Sequence, residues 1–121
     1  MPTALPERTE AAILAESGAL HARVREVIDA GAVDAPTFEA LALDIARFQA
    51  RHVAPIARLA RARGVDLATA REAAAIPAVP TDVFRLARVA AHAPADDERV
   101  FRTSGTTAGA EQRGEHALRT T

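Results

Sequence analysis

Positions that favour burial recur at helical spacing through the first half of the chain. The first set recurs at steps of four, three or one residue, which keeps its members on one side of a helix. Pro6 suits the first turn, where proline is tolerated, and Gly31 follows the last position of the set. The pattern predicts an amphipathic helix from near Pro6 to near Gly31, with this stripe against the core: Ile13, Ser17, Leu20, Val24, Val27 and Ile28.

A second stripe predicts a helix that starts near Pro36, just after Asp34. Pro55 removes one backbone donor and clashes with the preceding turn, so we expect a kink or a restart there. A third, short helical piece should end at Gly64, since glycine readily adopts the left-handed conformation that closes helices. The core positions of these two helices are Phe38, Leu41, Ile45, Phe48 and His52, then Ile56, Leu59 and Ala60.

The pattern becomes extended in the last third of the chain. An Ala-rich stretch from Leu67 to Ala75 is still helical by propensity. The segment 76-IPAVPTDVFRLARVAAHAP-94 follows. Pro77 and Pro80 favour extended backbone before them, and Thr81 or Asp82 is suited to cap a turn that leads into Val83.

Two short segments near the end of the chain are expected to pair as strands. They are residues 88–92 and 99–102, and the sequence 94-PADDE-98 between them has the composition of a turn. The predicted fold is therefore mainly α with a short β-hairpin near the C-terminus. We expect a helical region over residues 1–75 and an extended region over residues 76–121.

Composition narrows the possible chemistry. The chain has 121 residues, 31 alanines, 15 arginines and no lysine, with a formal charge of −1. It has no cysteine, which excludes disulfides, thiolate metal sites and a cysteine nucleophile. Because no apolar run approaches the roughly 18 residues that span a bilayer, and no signal peptide is evident, we expect a cytoplasmic protein without a membrane span.

One locally basic stretch stands out from this nearly neutral background. The segment 45-IARFQARHVAPIARLARARGV-65 contains five arginines and no acidic residue. A basic helix can contact phosphates, and a nucleic-acid binder is therefore one alternative. Against it, the arginines fall beside the apolar stripe as a solvated face would, and no aromatic is interleaved to stack on bases. We do not expect nucleic-acid binding.

The clearest candidate for chemistry is the run 103-TSGTTAG-109. Glycines let backbone amides approach a phosphate closely, and short hydroxyl side chains donate to its oxygens without filling the space. The P-loop pattern, in contrast, is not met, because Glu115 and His116 follow Gly114 where that pattern needs Lys and a hydroxyl residue.

This run resembles the phosphate-binding signature of the adenylate-forming acyl-activating enzymes. The match lies in Thr103, Ser104, Gly105, Thr106 and Thr107, after 99-RVFR-102. The paired-proline segment 77-PAVPTDVFR-85 and the later 113-RGEH-116 are similar to the N-terminal part of one branch, the LuxE-type acyl-protein synthetases. The resemblance covers residues 38–121 and is strongest from Ile76 to His116.

The resemblance implies ATP-dependent activation of a fatty acid as an acyl adenylate, followed by transfer to an acyl-acceptor protein. ATP and Mg²⁺ are the implied cofactors. Ser104, Thr106 and Thr107 would donate to the β- and γ-phosphates, Gly105 would let the backbone turn around them, and Thr103 would open the loop. The implied fold is the N-terminal portion of an α/β adenylate-forming enzyme.

Two residues depart from the family pattern. Ala108 replaces the usual glycine after the second threonine, and Arg113 is the nearest cation in place of a downstream lysine. We assign Arg113 to the nucleotide site on charge alone, and we assign no catalytic and no metal-ligating residue. The family's large α/β domain cannot fit after Glu115, so we expect an inactive fragment that associates with a missing C-terminal portion. The alternative is a small helical interaction module without catalysis.

Overall fold

The helices and strands form a mainly helical chain that ends in a two-stranded hairpin. The computed structural model describes residues 5–103 and 113–119, with side chains from Glu10 onward. Two 3₁₀ turns, Ala73–Ala75 and Pro94–Asp96, accompany the main elements. These elements are α1 (Leu5–Ala30), α2 (Ala35–His52), α3 (Ala54–Ala62), α4 (Val83–Leu86), β1 (Arg99–Arg102) and β2 (Glu115–Leu118). The predicted mainly α fold with a hairpin near the C-terminus is confirmed.

The connection between α1 and α2 follows the predicted stop and start signals. Gly31 adopts a φ of +75° and its N–H donates to the Ile28 carbonyl at 3.1 Å, which closes α1. Asp34 caps α2, because its Oδ1 accepts the Thr37 N–H at 2.7 Å. Hydrogen bonds from Thr37, through its side chain and then its backbone N–H, hold the pKa of Asp34 below its usual range.

The break predicted at Pro55 is a restart. Val53 has an extended backbone (φ −123°, ψ 101°) and serves both as the C-cap of α2 and as the N-cap of α3. Pro55 lies in the first turn of α3, where its missing N–H costs nothing. Beyond α3, Gly64 has a φ of +67°, so the chain leaves the helix there as predicted.

The core lies between α2, α3 and the segment that follows α3. Polar contacts join α1 to α2: Arg23 pairs with Asp44 at 2.8 Å and Arg51 pairs with Glu16. Two predicted core positions are wrong, because Ile28 and Phe38 are 69% and 53% exposed at the ends of α1 and α2. The buried hydrophobic residues of the described chain are Leu41, Leu43, Ala46, Phe48, Val53, Ile56, Ala60 and Leu67.

The Ala-rich stretch from Leu67 to Ala75 does not form the α-helix that its propensity favours. Its only helical piece is a single 3₁₀ turn at Ala73–Ala75. Side chains of α2 take its backbone groups instead: Arg47 donates to the carbonyls of Leu67 and Ala70, and Glu39 accepts the Ala73 N–H. Tertiary hydrogen bonds therefore override local propensity here.

The hairpin forms, but not between the predicted strands. β1 pairs with β2 in antiparallel register, with Arg99 opposite Leu118 and Arg102 opposite Glu115. Residues 88–92, the predicted partner of β1, form no strand. Arg88 instead turns toward Asp97 and the His92 carbonyl, which holds this segment in a loop. The predicted turn before α4 is present, although the Asp82 side chain does not cap it.

Candidate phosphate-binding hairpin

The Ser/Thr/Gly run lies between the two paired strands. Thr103 directly follows β1 and Gly114 directly precedes β2. Two hydrogen bonds join them: the Thr103 N–H donates to the Gly114 carbonyl, and the Gly114 N–H donates to Thr103 Oγ1, both at 2.9 Å. Thr103 and Gly114 bound the connection between the two strands. Their two hydrogen bonds fix the ends of this connection relative to each other.

Gly114 is buried at a close approach of three chain segments. A Cβ placed on Gly114 would lie 3.2 Å from the Phe84 Cβ and 3.4 Å from the Thr103 Cγ2. The first distance is a few tenths of an ångström shorter than ordinary van der Waals contact, so a side chain here would require Phe84 to shift. The absence of a side chain at Gly114 therefore allows the hairpin and the segment that contains α4 to pack closely.

A ring stack strengthens the same junction. Phe84 of α4 and His116 of β2 lie with ring centroids 4.0 Å apart and planes inclined by 25°. Such an offset stack adds to the free energy of burial. It brings 77-PAVPTDVFR-85 against 113-RGEH-116, the two segments that flank the Ser/Thr/Gly run in the resemblance described above.

The predicted site residues are only partly described. Thr103 and Arg113 are both exposed, one at each end of the connection. Ser104, Gly105, Thr106 and Thr107 lie outside the described residues, so their assignment to a phosphate site stays a prediction. Thr103 Oγ1 accepts the Gly114 N–H, which leaves its own proton to be donated to an anion. Beside Thr103 and Gly114, Arg102 Nε lies 3.7 Å from Glu115 Oε1.

One charged cluster was not foreseen from the sequence. Arg88 holds Asp97 through two nitrogens, at 2.6 and 3.0 Å, and His92 Nε2 lies 2.7 Å from Asp97 Oδ1. The Arg88 hydrogen bonds, with a smaller effect from His92, hold the pKa of Asp97 below its usual range, and Asp97 raises the pKa of Arg88. Their irregular spacing gives no periodic signal, so only the folded loop reveals them.

This cluster lies beside a small cavity near α1. The cavity measures about 180 Å³, and Ile13, Leu14, Ala91 and His92 form part of its wall. His92 and Asp97 keep only 14% and 16% of their side chains exposed. With Asp97 already engaged by Arg88, the arrangement ties the loop before β1 together, and we assign it a structural role.

The arginines of the basic stretch are only partly engaged within the molecule. Arg47 is spent on backbone carbonyls at 2.8 and 2.7 Å, and Arg51 is paired with Glu16. Arg58, Arg61 and Arg63 remain exposed. Two of the five arginines are thus engaged inside the molecule and three are exposed.

Comparisons with known proteins give no neighbour for this chain. No family model, no curated protein and no solved structure matches it. Within residues 5–103 and 113–119, no group of three or more His, Asp or Glu side chains is placed to hold a metal ion. None of the described helices is both long and apolar enough to cross a membrane.

Proposed function

We propose that the chain supplies the N-terminal, phosphate-binding part of a cytoplasmic ATP-dependent acyl-protein synthetase. In this proposal the hairpin binds the polyphosphate of ATP while a fatty acid is activated as its acyl adenylate. The acyl group then passes to an acceptor protein. The catalytic groups of both half-reactions lie outside this chain, which contributes binding and orientation and acts together with a C-terminal portion.

The observation that carries the proposal is the position of the Ser/Thr/Gly run between two strands. A phosphate site needs a short connection whose ends do not move apart when charge is bound. The reciprocal hydrogen bonds between Thr103 and Gly114 supply such ends. The stack of Phe84 on His116 holds the strand that follows Gly114, the second of these ends. These contacts favour a loop presented by a hairpin over a free linker.

The described residues suit an anionic ligand. The Thr103 hydroxyl has a proton to donate, and the Arg113 guanidinium carries a permanent positive charge at the other end. Ser104, Thr106 and Thr107 would add hydroxyl donors between them, and Gly105 would let backbone amides approach. Magnesium ion, when it arrives with ATP, neutralises charge on the phosphate oxygens. The chain's own residues would orient the polyphosphate and bind its remaining charge.

The test is pyrophosphate release with Mg-ATP and a fatty acid, in the full natural reading frame that contains this chain. Thr106→Ala removes one proposed donor and should lower the rate by about tenfold to a hundredfold, as expected when a hydrogen bond to a charged group is lost. Thr69→Ala is the matched control, because it removes an exposed threonine hydroxyl outside the hairpin, one that donates to the Asp66 carbonyl at 3.3 Å. It should leave the rate within about twofold of the unmodified protein.

A direct binding measurement separates the two parts of the proposal. Titration of ATP should show weaker affinity for Thr106→Ala than for Thr69→Ala, even without a fatty acid. Binding without pyrophosphate release would retain the phosphate site and reject the synthetase. Equal affinities for the two variants would reject the phosphate site itself.

A further inference from the structure

A notch between α2, α3 and the segment that follows α3 lies apart from the hairpin. Its volume is about 540 Å³, within the range of sites that hold a ligand or an anchoring side chain. The floor is apolar and made mostly of small side chains, so it leaves room for a larger group. This floor consists of Ala50, Ala57, Ala60, Val65 and Leu67.

Arginines border this α2–α3 notch. Arg47, Arg51 and Arg61 line it. Arg47 is committed to the carbonyls of Leu67 and Ala70, whereas Arg51 contacts Glu16 through one nitrogen and keeps other donors. No carboxylate among the described residues pairs with Arg61. Asp66 also lies at the rim, and its Oδ1 already accepts the Ala68 N–H at 3.0 Å.

The positive surface extends beyond the notch. Arg58 lies one helical turn before Arg61, so the two side chains share a face of α3. Arg63 follows at the end of the helix, and both are exposed. Arg58 and Arg63 are five residues apart, or about 7.5 Å along the helix axis, so the positive charges form a short row on α3.

We propose that the α2–α3 notch and the arginines of α3 form a docking surface for an acidic, amphipathic segment of a partner protein. The apolar floor would bury one or two aliphatic anchors of that segment. Arg51, Arg58 and Arg61 would pair with carboxylates on either side of the anchors, since guanidinium groups favour carboxylates. The surface is separate from the hairpin, and its existence does not depend on the function proposed above.

The lining favours a protein partner over a nucleic acid. No aromatic side chain lines the notch, so bases have nothing to stack on. Burial against an apolar floor stabilises the binding of a leucine or isoleucine side chain but not of a ribose-phosphate chain. An acidic amphipathic peptide satisfies both the floor and the rim.

The experiment is fluorescence anisotropy with a labelled peptide of about 16 residues, with leucine on one helical face and glutamate on the other. Two matched peptides carry glutamine for glutamate or serine for leucine. We expect the parent peptide to bind most tightly, and its affinity to fall as salt increases. If the glutamine or the serine peptide bound as tightly as the parent peptide, the proposal would be overturned.

Variants locate the binding. The double variant Arg58→Glu/Arg61→Glu should weaken peptide binding by about tenfold or more. The control, Arg25→Glu/Arg99→Glu, makes the same charge change at exposed positions elsewhere and should weaken binding by about twofold at most. Ala57→Phe fills the notch without changing charge and should also weaken binding by about tenfold. Circular dichroism melting checks that each variant folds.

Two results would contradict the docking surface. One is an equal loss of peptide affinity in both double variants, which would mean that binding depends only on the net charge of the protein. The other is tighter binding of a DNA duplex than of the peptide with the same dependence on Arg58 and Arg61, which would make the surface a nucleic-acid site.

Discussion

Glycine positions show at the residue scale how the same amino acid serves opposite purposes in this chain. Gly114 is buried against Phe84 and Thr103, where a Cβ would come within 3.2 Å of another carbon. Gly18 lies inside α1, and a Cβ built there would meet nothing within 4 Å. Substituting alanine therefore adds a steric conflict at one position and only helix propensity at the other.

We predict opposite signs for these two substitutions. Gly114→Ala should lower the free energy of unfolding by about 1 to 2 kcal/mol through overpacking. Gly18→Ala should raise it by about 0.5 to 1 kcal/mol, because alanine loses less backbone entropy in a helix. Urea denaturation of both variants checks the difference in sign. A Gly114→Ala protein as stable as the parent would show that Phe84 shifts to accommodate the added methyl group and would contradict the overpacking.

The cluster around Asp97 gives the chain a pH dependence with a defined sign. Hydrogen bonds from Arg88 hold the pKa of Asp97 below its usual value, so the folded state binds a proton less readily than the unfolded state. The stabilisation is thus present above about pH 4, the ordinary aspartate pKa. It is lost as the pH falls through the lowered pKa of the folded state.

Asp97→Asn should remove that contribution. The stability difference between parent and variant should be constant near neutral pH and disappear in acid, as followed by thermal melting from about pH 7 to pH 2. In an Arg88→Gln background the same Asp97→Asn change should cost less, since the main partner is already gone. An identical acid response with and without Asp97 would assign the pH dependence to other carboxylates.

At the scale of elements, the sequence predicts the features that depend on local signals and misses those that depend on long-range contacts. The ends of α1, α2 and α3 follow from Pro, Asp and Gly signals within one turn of each boundary. The partner of β1 does not, because pairing with β2 joins segments separated by the whole Ser/Thr/Gly run. Residues 88–92 were predicted as the partner because the turn-like sequence 94-PADDE-98 joins them directly to β1.

The segment after α3 shows the same division. Alanine-rich sequence favours a helix, but Arg47 and Glu39 bind its backbone groups from α2. No local pattern announces that an arginine 20 residues earlier will take the Leu67 carbonyl. The phosphate-site residues, in turn, were proposed from residue type and resemblance, and the described geometry reaches only Thr103 and Arg113 among them.

Arg47 should therefore act as a tie between elements and not merely as a surface charge. Arg47→Lys keeps the charge but cannot reach both carbonyls with one planar fork, so we expect a loss of about 1 to 2 kcal/mol in unfolding free energy. Arg25→Lys, at an exposed position on α1, should change it by less than about 0.5 kcal/mol. Equal effects of the two substitutions in urea titration would contradict this role.

At the scale of the whole molecule, burial is concentrated in one half of the chain. Among the residues whose burial is described, the buried hydrophobic ones lie between Leu41 and Leu67. The hairpin, in contrast, exposes Val100, Phe101 and Leu118 by 41%, 53% and 49%. A hairpin of two strands has little stability of its own, so its order depends on the contacts of Gly114 and His116 with Phe84.

This uneven burial predicts a gradient of local stability, which hydrogen–deuterium exchange measures along the chain. Amides of α2 and α3 should exchange slowest, at a rate set by global unfolding, whereas those of β1 and β2 should exchange through local opening. Phe84→Ala should accelerate exchange in β2 with little change in α2, because it removes the stack on His116 while leaving the core intact. Equal acceleration in both elements would instead mean that the hairpin and the helices unfold as one unit.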